Sequence, residues 1–395
     1  MTRAASHETF DAVVDLGRDR RDPDWAYTVV KRSYRIDGAR LTSLAPRPLL
    51  NDPREGIDEF PAECDFWPRK PLTDVTVEGR ACLPGKTLFV EHEVRLEVGS
   101  FVRRIHVFGD RQVLWRSGKP YVGAIDAVAE VPLTPAFAYG GVDLRVPLAR
   151  SYPTEVALVV AAVLHPGRYP RNPFGTGWLC REGRVGDVAM PNLEDPDDLL
   201  TDERLIANAA KWWLQPRPAY LSWQSPLMAP RLVHFGAIAD EMPGSLDDLP
   251  AAERALFDAP SLEPGYVNAD RAYQEAAPEL SLPPIQPGTP VAVHGATASR
   301  SCLSFEVPPA PNVRIALGGS DEAAPVRMTH LRLRPDEAEV DFVYAAVRVA
   351  LPKRYVRGIH PNIPLSATVD GEAVSYATPP TWDRAADPYS KGTDP

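Results

Sequence analysis

The chain has 395 residues and a formal net charge of −10, with hydrophobic and charged shares of 44% and 24%. That is the composition of an ordinary folded protein, and its acidic balance gives no footing for binding nucleic acid by counterion release. No apolar run approaches the roughly 20 residues that cross a bilayer, the longest being 156–164, so neither a nucleic acid partner nor membrane insertion is expected. Proline is the outlier: its 43 copies are about twice the usual share and are scattered. Scattered proline breaks long helices and central strands, so many short elements joined by ordered loops are expected.

In chain order, the opening "MTRAASHETFDAVVDLG" mixes acids and bases without the apolar stretch of an export signal, which predicts a cytoplasmic protein. "WAYTVVKRSYRI" (25–36) is rich in β-branched and aromatic residues and reads as a strand. Residues 74–115 predict a four-stranded antiparallel meander. In its middle, Leu88, Val90, His92, Val94, Leu96 and Val98 alternate with Thr87, Phe89, Glu91, Glu93, Arg95 and Glu97, and Gly109-Asp110 reads as a two-residue hairpin turn. A further strand is predicted within 155–165.

Short helices are predicted over 197–213, 249–258 and 270–277, with proline-rich connections at 214–244 and 278–312. "MTHLRLRPDEAEVDFVYAAVRVAL" (328–351) reads as a hairpin turning at Pro335-Asp336-Glu337, and the tail 379–395 as frayed. The fold class expected is mainly β: antiparallel, sandwich-like lobes with a few short helices. The division expected is a β-rich lobe over 1–213, a connection over 214–284, and a C-terminal β-rich segment over 285–395 that packs with the first lobe.

The unusual stretch is "RNPFGTGWLCREGRVGDVAMPNLEDPDD" (171–198), with four glycines, three prolines and an acidic end. "NPFGTGW" lacks the lysine of a phosphate loop, and "NLEDPDD" lacks the glycine of a calcium loop and is interrupted by Pro196, so neither a nucleotide nor a metal is expected. Glu194 and Asp195 read as a solvated acidic turn before the helix at 197, tolerant of Glu194→Gln and Asp195→Asn. Asp110 and Arg111 read as an exposed ion pair on a hairpin turn, and His92 as a hydrogen-bonded core histidine. The other histidines are isolated in sequence, with no metal-binding spacing. The four cysteines (Cys64, Cys82, Cys180, Cys302) form no C-x-x-C pair and are expected to be reduced, most of them buried.

The loop itself reads as architectural. Gly175 and Gly177 permit positive φ or close backbone approach, and Asn172 and Asn192 supply amides that cap turns. Phe174 and Trp178, with Trp212, Trp213 and Trp223 further on, are aromatics suited either to a core beneath the loop or to a partner interface. The candidate structural or partner-surface residues are thus Asn172, Phe174, Gly175, Gly177, Trp178, Asn192, Glu194, Asp195, Asp110 and Arg111. No catalytic residue, metal ligand or cofactor is expected.

Six segments in order, "KPLTDVTVEGRACLPG" (70–85), "RRIHVFGDRQV" (103–113), "FAYGGVD" (137–143), "NPFGTGW" (172–178), "MPNLEDPDD" (190–198) and "LRLRPDEAEV" (331–340), make the chain resemble a bacterial family catalogued as domain of unknown function twenty-one sixty-nine. The genes of that family lie beside type VI secretion effectors. The resemblance implies a cytoplasmic adaptor or chaperone that binds a secreted effector, or its spike-tip domain, and helps load it. The alternatives are a carbohydrate-active or other hydrolytic enzyme using acids of the 190–198 loop or Asp110, and a structural component of the injection machine.

Overall fold

The structure, a computed structural model, describes residues 9–17, 25–50, 65, 70–146, 165, 167–179, 188–205, 214–225, 228, 274–317, 320–349 and 365–374. Strands are numbered along the chain, and antiparallel sheets dominate. Asp11–Gly17 (β1), Trp25–Asp37 (β2), Arg40–Leu44 (β3), Thr73–Val77 (β4), Ser281–Leu282 (β15), Val326–Arg334 (β20) and Glu339–Val349 (β21) form a seven-stranded sheet. Its order is β1-β2-β21-β20-β4-β15, with β3 also on β2, and only β20 and β4 run parallel. Glu91–Val98 (β6), Phe101–Phe108 (β7), Leu193–Glu194 (β14), Pro290–His294 (β16) and Cys302–Glu306 (β17) form a five-stranded sheet in the order β14-β7-β6-β16-β17. Val313–Leu317 (β18), Ser320–Ala323 (β19), Leu365–Val369 (β22) and Glu372–Val374 (β23) make a four-stranded one. The large sheet and the five-stranded sheet each draw strands from both sides of 214–284.

Smaller ladders complete the set. Arg80–Cys82 (β5) pairs with Glu130–Pro132 (β10), and Gln112–Arg116 (β8) lies between Lys119–Val122 (β9) and Val188–Ala189 (β13). Tyr139–Gly140 (β11) runs parallel to Thr176–Gly177 (β12). Among the described residues the helices are single 3-10 turns, at Pro84–Lys86, Pro135–Phe137 and Pro278–Leu280. Each has proline at its first position, where a missing N–H costs nothing.

The apolar face of the seven-stranded sheet (Val75, Val77, Leu331, Leu333, Val340, Phe342) shares one core with the inner faces of the five-stranded and four-stranded sheets. Phe342 marks the junction, its ring edge-on to Tyr34 at 5.7 Å and to Phe305 of β17 at 6.1 Å. The other face of the large sheet is also buried, and it mixes polar rows with an apolar cluster of Val13, Tyr27, Val29 and Val343. Asp11, Lys31, Val343, His330, Asp74 and Ser281 are successive Cα partners across six strands. Ser33, Asp341, Arg332 and Thr76 form the next such row.

The strand at 25–36 and the hairpin over 328–351 form as the sequence predicts, the latter closing through Pro335 to Ala338 between Arg334 and Glu339. The four-stranded meander over 74–115 does not form. Only β6 and β7 pair as a hairpin there; β4, β5 and β8 join three other sheets. Gly109-Asp110 is not a hairpin turn, because the flanking strands β7 and β8 lie in different sheets and Asp110 exchanges backbone hydrogen bonds of 3.0 and 2.8 Å with Asp126. A Cβ on Gly109 would stand 2.1 Å from the Asp126 carbonyl oxygen, so close approach explains that glycine.

The alternation over 87–98 holds only from Val94 onward. Leu88 and Val90 are exposed and Phe89 is buried, since Phe89 bridges Val128 before β6 begins. His92 is half-buried, its Nε2 2.9 Å from the Gly295 carbonyl oxygen. The helix predicted at 197 is absent over 197–205, where carboxylates capture the backbone donors: Asp195 accepts from Asp197 N at 3.0 Å and Glu194 from Leu200 N at 2.7 Å. Residues 274–277 are extended, with Ala276 bridged to Trp223. The rest of those two segments, the 249–258 helix, the strand at 155–164 and the tail lie outside the described residues.

Replacing Phe342 by Ala is expected to cost about 3–5 kcal/mol through the cavity left between sheets. Urea unfolding should show a lower midpoint at unchanged slope.

Candidate functional site

The residues singled out in 171–198 converge on one region beside the end of β7. Leu193 pairs with Val107 and Glu194 with His106, which places β14 on the edge of the five-stranded sheet. The Asn192 amide donates to the Phe108 carbonyl at 3.2 Å and to Asp110 Oδ1 at 3.1 Å, tying the end of β7 to the following loop. Arg111 is not exposed. Its guanidinium is buried, ion-paired to Glu194, donates to the Pro191 carbonyl at 2.9 Å, and lies 3.6 Å from the centre of the Phe108 ring.

The acidic pair is not a solvated turn either: Glu194 is 3% exposed and Asp195 2%. Asp195 accepts from Arg103 at 2.9 Å and from Arg217 at 3.5 Å. Burial raises the pKa of Glu194 and lowers that of Arg111, outweighing their mutual attraction. Burial also pushes Asp195 up, but Arg103, the Asp197 N–H and Arg217 more than offset it and leave its pKa low.

The glycine end of the loop is locked against 135–143. Asn172 is fully buried and its amide donates to the carbonyls of Pro135 at 2.7 Å and Tyr139 at 3.2 Å. A Cβ on Gly175 would stand 2.4 Å from Asn172 Nδ2 and 2.5 Å from the Ala138 carbonyl; Gly177 has φ of +93°. The indole of Trp178 donates to the Gly167 carbonyl at 2.9 Å and packs with Tyr139 and Tyr169 in a small aromatic core, while Phe174 packs half-buried against the main core. Beside this lock opens a cleft of about 470 Å³, lined by Gly140, Gly141, Val142, Leu144, Trp178 and Val188 among others. Leu144 on its wall is 78% exposed.

A second cluster, unmarked by any motif, lies under the polar face of the large sheet. Lys70 Nζ is 2.9 Å from Asp74 Oδ2, 3.2 Å from Glu275 Oε2 and 2.6 Å from His330 Nε2. All four side chains are at most 4% exposed. Nearby, Lys31 pairs with Asp65 at 2.7 Å, and Arg332 with the same carboxylate at 3.4 Å. Burial pushes both Asp74 and Asp65 up, but Lys70 for the first and Lys31 with Arg332 for the second hold their pKa values low. His330, isolated in sequence, is thus part of a charged cluster. Only the pairing of distant strands reveals it, since Lys70 and Glu275 are 205 residues apart.

The family model described as "Uncharacterized protein conserved in bacteria (DUF2169)" matches residues 21–345. The chain belongs to that family. No curated protein and no solved structure matches this family member. The match takes in both clusters and the cleft. No helix among the described residues is long and apolar enough to cross a membrane. Cys82 is buried and Cys302 half-buried, both free, and burial raises both thiol pKa values.

Arg111→Met strands the Glu194 carboxylate and is expected to cost about 3–5 kcal/mol, with Glu194→Gln milder at about 1–3 kcal/mol; thermal or urea unfolding measures both. Gly175→Val should destabilise the fold as well, having no room for a Cβ.

The pH dependence follows from the sign of each shift. Asp65, Asp74 and Asp195 have lowered pKa values, so their stabilisation is complete above the unfolded value of about 3.9 and is lost as pH falls through the folded values. Glu194, raised, acts oppositely: its contribution is present below about 4.3 and is lost as pH rises through its folded value. Asp195→Asn is therefore expected to lower stability at pH 7, with the gap to the parent narrowing toward pH 3 in urea titrations.

Proposed function

We propose that this family member is a non-catalytic cytoplasmic adaptor that binds a type VI secretion effector, or the effector's spike-tip domain, and aids its loading. The observation that carries the reading is the engagement of the loop's carboxylates. Glu194 and Asp195 are both committed to arginines and backbone N–H groups beneath the surface, so they brace the loop itself and offer no acid and base to a substrate. The cleft presents glycine backbone and apolar side chains beside Thr176 and the ion-paired Asp143 and Arg145, a mixed surface of the kind that takes a protein segment. The ordered run of family segments supplies the partner class, and the arginine-braced loop supplies a rigid mount for the contact.

Co-expression with the neighbouring effector, followed by pull-down and a secretion assay, tests the reading. The effector should be captured, and should lose solubility or secretion when this protein is deleted. An effector that is soluble, stable and secreted without it sinks the proposal. Leu144→Asp, at an exposed position, is expected to leave the melting temperature nearly unchanged, within about 0.5 kcal/mol of stability, while reducing capture.

A further inference from the structure

The donors around Lys70 have the spacing of a metal polyhedron. Asp74, Glu275 and His330 each turn one ligand atom inward, and the three atoms lie within 4.8 Å of one another. His330 Nε2 is 3.2 Å from Glu275 Oε2 and 3.7 Å from Asp74 Oδ2. Ligands about 2.1 Å from a tetrahedral metal stand roughly 3.4 Å apart, so the separations match. One imidazole and two carboxylates are also a donor set that zinc and its neighbours in the first transition row accept.

The position between these donors is filled from within the chain. Lys70 Nζ lies 2.6 to 3.2 Å from all three ligand atoms, and an ammonium has three protons to give. At 2.6 Å a single proton lies between Lys70 Nζ and His330 Nε2. An ammonium has no lone pair to accept with, so in that contact Lys70 donates and His330 Nε2 accepts. The imidazole is then neutral, accepts at Nε2 and carries its own proton on Nδ1, which has no hydrogen-bond partner.

We propose that Asp74, Glu275 and His330 form a divalent-cation site whose place is held in this protein by the ammonium of Lys70. The lysine does electrostatically what a metal would do: it neutralises two buried carboxylates and ties β4, the 274–275 segment and β20 together. Removing the ammonium leaves both carboxylates and the imidazole lone pair converging on one point. A transition-metal dication then supplies the missing charge and accepts all three donors.

The test compares the full-length parent, Lys70→Met and the double variant Lys70→Met/His330→Gln, each with EDTA, Zn2+ or Co2+. Methionine keeps the length of the stem without the charge. The parent should melt at the same temperature under all three conditions. Lys70→Met should melt lower in EDTA, recover with either metal, and develop visible Co2+ absorption at one equivalent. The double variant should lose that absorption, which separates the site from adventitious surface binding. If Lys70→Met does not fold without metal, recovery of soluble cobalt-loaded protein from cobalt-supplemented cells supports the proposal. Failure to recover it under either condition overturns the proposal. So does a Co2+ spectrum in the parent equal to that of the variant, or a folded Lys70→Met that shows no response to metal.

Discussion

A sheet buried on both faces cannot leave a charge unmatched, and the seven-stranded sheet carries charged rows on one face beside the apolar cluster of Val13, Tyr27, Val29 and Val343. Lys31, His330 and Asp74 lie on one cross-strand row, and Asp341 and Arg332 on the next. An unpaired charge in such a position is prohibitively costly, so each needs a partner from elsewhere in the chain. Residues 47–50, Asp65, Lys70 and Glu275 provide them: Arg47 N reaches Ser33, Leu49 N reaches Asp11, and Lys31 reaches the Pro48 carbonyl and Asp65. The polar face fixes where these connections lie, while the apolar face fixes where the other two sheets pack.

The same logic recurs at smaller scale beside β7. Arg111 pairs with Glu194, and Arg103 and Arg217 pair with Asp195, which makes a brace of the two buried carboxylates, and Asn172 and Asn192 close the surrounding backbone by hydrogen bonds to carbonyls. The glycines are explained by contact within the protein, since a side chain at Gly175 would meet Asn172 and Ala138. A loop held this way is a stiff wall. Stiffness suits a docking surface, because little ordering entropy is then lost on binding.

Much of the fold was legible in the sequence. The strand at 25–36, the β6–β7 pair, the hairpin over 328–351 and the mainly β class all follow from local patterning and turn chemistry, which act over a few residues. The architectural character read into Asn172 and Gly175 likewise came from what amides and missing side chains do locally. The helix predicted over 197–213 does not begin at 197 for a reason no propensity records: the N–H groups of Asp197 and Leu200 are taken by Asp195 and Glu194, whose carboxylates are themselves fixed by arginines far along the chain.

The sequence by itself determined the strand at 25–36, the alternation of β6 and β7 and the hairpin turning after Arg334, but it reads 278–312 as a proline-rich connection, where β15, β16 and β17 form. Only the tertiary structure decided which strands pair, because period-two alternation names a face without naming a neighbour; hence 74–115 divides among four sheets. It also decided charge. Whether Arg111, Glu194, Lys70 or His330 meets water or a partner depends on contacts across 83 to 260 residues, and Coulomb energy at such contacts is set by burial and distance in space, quantities absent from the order of the letters.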